Sequence, residues 1–421
     1  MLRILRNNLF LKIFGILVRF KSVKLTSYLI YISLRPLKGI NKVKSNKKLI
    51  ILEKAIGIED IKYCYAKTKI NYQPYILQRR LLKIIFNLFV KGLHEHYYVT
   101  NDKNIESKKR QLRLFYTDIL KELKKKFQFE VMLNFNWLYG AERELQAACK
   151  ENDIKFITHQ KESNFLDGEK EKFLKKFMKN LGVYKGHLLL AYSNRYANFL
   201  LKTKVIKRSQ IRVIGMPRAD KLFNKKNKYT QKYILFFLMQ SQRGIFDIDD
   251  NALKFWETNI NLAMKSILET AKKYPKQKFI FKSKNIVQDD MTKQIQMIKD
   301  ANLRNCQIVK GGESFSLIKD SKLVIAFNST AILEGIGCKK KTLVPYFNLN
   351  RDFKKKNVMK LSRPVIIAKN AKEFKNTIEK IIKNKPYKIN LDEKSKYLLE
   401  YHLGNSDGKS HKRFANIINN L

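Results

Sequence analysis

The stretch that most constrains this chain is Lys322 to Phe347, KLVIAFNSTAILEGIGCKKKTLVPYF. Leu323 to Phe327 is a short apolar run rich in β-branched and aromatic residues, the pattern of a strand buried on both faces. Asn328, Ser329 and Thr330 then offer three consecutive N-cap side chains. Ala331 to Ile336 has helical spacing, Gly337 suits a helix stop, and Lys339 to Lys341 sit where a helix dipole favours cations. Thr342 to Tyr346 reads as a second buried strand. Strand, polar turn, short helix and strand make a βαβ unit whose helix N-terminus opens at the carboxyl end of a sheet. Such a terminus presents unpaired N–H groups to an anion, typically a phosphate. Glu334 lies one turn beyond Thr330, within reach of a sugar hydroxyl on the molecule carrying that phosphate.

The rest of the chain repeats the α/β rhythm twice. In the first series, strands are expected at Leu49–Ile51, Phe129–Asn134, Ile154–Thr158, Leu188–Tyr192 and Ile211–Ile214, with helices between them. Ile76 to His94 reads as one long helix, Asn101 to Lys126 as a charged one and Glu169 to Leu181 as another. After a charged stretch near Asn224 to Tyr229 the pattern restarts. Strands are expected at Tyr233–Met239, Phe279–Lys282 and Gln307–Val309, then the opening unit, then Val365–Ala368. Alternation of this kind predicts an α/β chain with two Rossmann-like, doubly wound domains facing a cleft. The expected bounds are residues 49–225 and 226–395, with 396–421 as a crossover helix.

Composition narrows the partners. A hydrophobic fraction of 44% and aromatic fraction of 12% over 421 residues suit large folded cores. The net charge of +51 invites a polyanion, either nucleic acid or an anionic membrane. There are about four Lys for every Arg, spread along the whole chain, whereas phosphate readers favour the bidentate Arg fork. A nucleic-acid partner is therefore not expected. Residues 1–48 concentrate the charge, with twelve Lys or Arg and no acid. Leu9–Phe20 and Leu25–Leu34 are apolar but too short or too interrupted to span a bilayer. A basic amphipathic segment lying on an anionic inner-membrane surface fits, giving a cytoplasmic, peripheral location. Cys64, Cys149, Cys306 and Cys338 are far apart and suggest neither a zinc site nor a disulfide framework. His94 and His96 have a strand-like metal spacing without a carboxylate partner, so no metal is expected.

Candidate chemistry sits on loops after strands. His159, with Glu162 three residues on, follows a strand, where a His can take a proton from an acceptor hydroxyl and a carboxylate can orient it. Gly215-Met216-Pro217-Arg218-Ala219-Asp220 follows the last strand of the first series, so Arg218 and Asp220 can serve either a donor phosphate or an interdomain hinge. Ser241 and Arg243 follow the first strand of the second series, the phosphate-binding place of a doubly wound fold, although no GxGxxG is present. Lys282 and Lys284 leave the next strand and can neutralise a diphosphate.

With GMPRAD, FNSTAILEGIGCKKKTLVPYF and the terminal YHLGNSDGKSHKRFANII in view, the chain resembles bacterial surface-carbohydrate and capsule-polysaccharide biosynthesis proteins. Those are glycosyltransferases of the two-Rossmann GT-B architecture. It is similar also to CDP-glycerol glycerophosphotransferases, which share a G-x-P-R-x-D turn and an S-T…E…G segment before a V-P strand. The resemblance spans roughly residues 130 to 415. It implies a donor diphosphate at Asn328, Ser329 and Thr330, a ribose near Glu334, and an acceptor-side base at His159 beside Glu162. It also implies a nucleotide-sugar substrate, a glycan or lipid-linked acceptor and no further cofactor. Lys282-Ser283-Lys284 stands where glycerophosphotransferases commonly carry Lys-x-His-Pro, which argues against a CDP-linked polyol-phosphate transferase. That transferase nevertheless stays the second reading on the same fold, with a non-catalytic polyanion binder and a catalytically dead assembly protein as further alternatives.

Overall fold

A computed structural model describes residues 2–41, 43–53, 55–93, 102–161, 172, 175–176, 178, 182–224, 228–239, 250–283, 289–349, 359–387 and 390–421. The chain forms two compact units. The first comprises Met1–Glu162, Lys175–Arg218 and Lys409–Leu421; the second includes Ala219–Gly408. The boundary falls inside the GMPRAD motif, between Arg218 and Ala219.

The first unit begins with two helices, α1 (Leu2–Arg19) and α2 (Val23–Ser33). Phe14, Val18 and Ile30 are buried in the same core as α4 and α5 below, so this segment is part of the domain fold rather than a separate N-terminal domain. The sheet contains β1 (Arg35–Pro36), β2 (Lys48–Leu52), β3 (Gln73–Leu77), β4 (Val131–Asn134), β5 (Lys155–His159), β6 (Leu188–Ala191) and β7 (Ile211–Val213). Its spatial order is β1-β3-β2-β4-β5-β6-β7, parallel throughout except at the β1 edge. Helices α3 (Ala55–Lys67), α4 (Arg79–Phe89), α5 (Lys103–Phe127), α6 (Gly140–Glu151) and α7 (Asn194–Lys202) cover it. The single helix expected over Ile76–His94 is in fact the end of β3 followed by α4. Gln78 is extended between them, and residues 94–101 lie outside the described part, His94 and His96 included. Tyr75 and Ile76 pair across to both β1 and β2, and β-pairing overrides the helical spacing there.

In the second unit the strands are β8 (Tyr233–Phe237), β9 (Lys278–Ser283), β10 (Cys306–Lys310), β11 (Ser321–Ile325), β12 (Lys341–Pro345) and β13 (Ile366–Ala368). All pair in parallel, in the order β10-β9-β8-β11-β12-β13. Numbered along the chain, this is the 3-2-1-4-5-6 order of a dinucleotide-binding fold. Its helices are α8 (Asp250–Lys273), α9 (Asp289–Ala301), α10 (Ser314–Asp320), α11 (Ala331–Gly337), α12 (Ala371–Lys383) and α13 (Glu393–Leu403). The crossover expected over 396–421 is split: α13 packs on α11 in this unit. Only α14 (Ser410–Asn419) returns to the first unit, where Phe414 and Ile418 join the core of α3.

Candidate functional site

In an open α/β sheet, ligands bind outside the carboxyl ends of the strands where the strand order reverses. In the second unit that point lies between β8 and β11. On the β8 side the last described residue is Met239, whose backbone N–H and C=O both bond the buried Gln294 side chain (3.0 and 2.8 Å). The β11 side is the turn Phe327–Thr330. Helix α11 follows it with Gly335 against the sheet: a Cβ there would stand 2.8 Å from Thr342 Cγ2 and 3.3 Å from Val324 Cβ. Glycine thus permits the close helix–strand approach that holds the turn at the strand ends.

The three polar turn residues divide their work. Asn328 has φ +43°, the left-handed region in which Asn is tolerated. Its Oδ1 accepts from Tyr346 Oη (2.6 Å) and from the Met359 N–H (3.1 Å), so the side chain shapes the turn instead of capping the helix. Ser329 Oγ accepts from the Ala331 N–H at 3.3 Å. Thr330 occupies the N-cap with helical φ and ψ and makes no side-chain cap bond. Ser329, Thr330 and Glu334 are each half-buried. Below them Trp256, Phe327 and Tyr346 pack edge-to-face, with centroids 4.8 Å apart for Trp256–Phe327 and 5.7 Å for Phe327–Tyr346. Asn259 Oδ1 accepts from the Phe347 N–H at 3.0 Å. The turn thus adjoins a cluster of packed aromatic rings. The helix stop comes later than the sequence suggests: Gly337 remains helical, and Lys339 takes the left-handed position (φ +57°).

The other expected donor contacts are redistributed. Lys282 is buried, and its ammonium donates to the backbone carbonyls of Ser283 (2.8 Å) and Gly311, so it neutralises no ligand here. Burial also pulls its pKa down. Ser241, Arg243 and Lys284 lie outside the described residues. Asp220 is buried and accepts from Asn405 Nδ2. Arg218 is engaged within the first unit. Its Nη1 donates to Asp60 Oδ2 at 2.9 Å, its backbone N–H to Asp60 Oδ1 at 2.9 Å, and its Nη2 to the Lys161 carbonyl at 3.3 Å. Tyr192 Oη donates to the same Asp60 Oδ2 at 2.5 Å. Arg218 thus finds, inside the first unit, a partner that sequence spacing missed: Asp60, on α3.

His159 is also relocated. It is the last residue of β5 rather than a loop residue, and it is wholly buried among the rings of Phe135, Tyr192 and Phe414. Neither ring nitrogen has a hydrogen-bond partner. Burial holds the imidazole below its ordinary pKa and therefore neutral. A general base must reach the hydroxyl it deprotonates, and this ring is sealed from one. Glu162 lies outside the described residues. Among the described residues no group of three His, Cys, Asp or Glu side chains is placed to hold a metal.

No family model matches the sequence, and no curated protein sequence matches it significantly. Solved structures do match. The UDP-GlcNAc 2-epimerase of Neisseria meningitidis, bound to UDP-GlcNAc, superposes with a TM-score of 0.50 at 14% identity, over 89% of this chain and 100% of that one. The Staphylococcus aureus MnaA–UDP structure gives 0.50 at 13%, over 88% and 96%. The fold is therefore GT-B: two Rossmann-like, parallel-sheet domains in one chain.

Proposed function

We propose that the protein is a glycosyltransferase moving a sugar from a nucleotide-activated donor to a hydroxyl of a surface-polysaccharide or lipid-linked acceptor. The observation that carries this reading is the switch point of the second sheet, where the Asn328–Thr330 turn adjoins packed aromatic rings at the carboxyl end of β11. The donor diphosphate would lie against the backbone N–H groups of Ser329 and Thr330, with Glu334 toward the ribose. Both structural relatives carry UDP or a UDP-sugar, and such a donor suits this place. In the transfer, the bond from the anomeric carbon to the diphosphate oxygen breaks and a bond to the acceptor oxygen forms. The nucleoside diphosphate departs, and the N–H groups offset its growing charge. The acceptor proton passes to a base, a role we assign to Glu162, the carboxylate three residues after His159 in the sequence.

One observation favours a second reading. Both relatives are named as acting on, or bound to, UDP or UDP-GlcNAc, and one is an epimerase. Incubating the protein with UDP-, CDP-, GDP- and CMP-linked sugars, with and without glycan acceptors, separates the two. Nucleotide release that depends on acceptor supports transfer. An epimerised nucleotide sugar formed without acceptor supports the second reading, and turnover of CDP-glycerol alone would favour a polyol-phosphate transferase.

A further inference from the structure

Among the described residues eleven large apolar side chains are exposed, and eight of them lie between Leu9 and Ile32. On α1 they are Leu9, Ile13 and Ile16, with Phe20 directly after its last residue, at spacings of four, three and four, which is one face of a helix. Phe14 and Val18 occupy the opposite face and are buried in the domain core. Helix α1 is thus apolar on two sides, and among the described residues only the side of Phe14 and Val18 is buried in the core. On α2 the buried side is mixed, Ile30 entering the core beside two polar residues. Thr26 and Ser27 are buried with neither hydroxyl hydrogen-bonded, while Leu25, Tyr28, Tyr31 and Ile32 are exposed. A helix facing water alone would carry the reverse arrangement.

The rim is cationic. Lys12, Arg19, Lys21, Lys24, Arg35 and Lys38 are exposed, and residues 1–48 contain no Asp or Glu. From α5, Lys126 lies 5.0 Å over the Tyr28 ring, and the nearby Glu122 is ion-paired with Lys125. No helix among the described residues is long and apolar enough to cross a membrane. We propose that the paired faces of α1 and α2 dock the protein in plane on an anionic lipid surface, apolar side chains entering the headgroup–acyl boundary and lysines meeting phosphates. A second copy of the chain is the poorer occupant. A two-fold contact would set the same cationic rim against itself, with no acid in residues 1–48 to offset it.

The test is co-sedimentation of the full chain, without donor, with phosphatidylcholine vesicles and with vesicles containing about 30% phosphatidylglycerol. Three proteins are compared: the native chain, Ile13→Asp with Phe20→Asp, and Lys21→Glu with Lys24→Glu. All four positions are exposed, Phe20 at 80%, so thermal melting should not move. The native chain should bind the anionic vesicles, and each double variant should lose roughly tenfold or more in partitioning. Equal binding by all three proteins, or no binding by the native chain, overturns the proposal. A native dimer that both variants convert to monomer, without a lipid effect, overturns it in favour of self-association.

Discussion

Removing the Asp60 carboxylate is the sharpest perturbation of the first unit. Asp60 is wholly buried and Arg218 is 14% exposed on its side chain, so Asp60→Ala takes the carboxylate away from a largely desolvated guanidinium. It also removes the acceptor for the Arg218 backbone N–H and for Tyr192 Oη. Breaking a buried pair from one side costs about 3–5 kcal/mol, and the partial exposure of Arg218 places this case near the lower end. With a urea slope of about 2 kcal/mol/M, a loss of about 3 kcal/mol lowers the midpoint by about 1.5 M. The chain has two tryptophans, Trp137 in the first unit and Trp256 in the second, both buried. In a Trp256→Phe background the emission of Trp137 reports the first unit alone. A midpoint shift below about 0.5 M, or amide exchange that rises equally in the second unit, would refute the assignment of this cluster as the first unit's electrostatic anchor.

Other consequences are as direct. Ser329→Asp keeps a side-chain acceptor for the Ala331 N–H but puts a carboxylate at the turn. Melting should be unchanged while nucleotide-sugar affinity falls by roughly tenfold or more, read by calorimetry. Gly335→Ala forces a methyl toward Thr342 and Val324 and should cost about 1–3 kcal/mol in chemical denaturation. His159 has its folded pKa depressed by burial. The unfolded chain therefore binds a proton that the folded chain refuses, and stability is lost as pH falls below about 6.5. His159→Phe should flatten that part of the stability–pH curve and leave transfer measurable; abolished turnover with donor binding intact would restore the ring as the base.

Both parallel series were readable because a strand buried on two faces is a continuous apolar run, and the helices between carry their own period. The strand–turn–helix at Lys322–Pro345 is the clearest case: the turn, the helix and the later strand stand within a residue or two of expectation. β3 was not legible because Tyr75 and Ile76 merge with the apolar spacing of α4, and only sheet pairing separates them. The site was harder. Which of Asn328, Ser329 and Thr330 caps the helix depends on Tyr346, eighteen residues on, and Asp60 meets Arg218 across 158 residues. His159 misled because polar residues at strand ends suggest exposure, whereas three rings from distant elements enclose this one. A single sequence carries no spacing signal for such contacts.

Hydrogen exchange of the full chain with and without a nucleoside-diphosphate sugar tests the donor site most directly. Bound donor should slow exchange in peptides spanning residues 326–337, around the β11–α11 turn, by a factor that grows with donor concentration. Protection confined to the first unit, or none at saturating donor for all four nucleotides, would contradict the account.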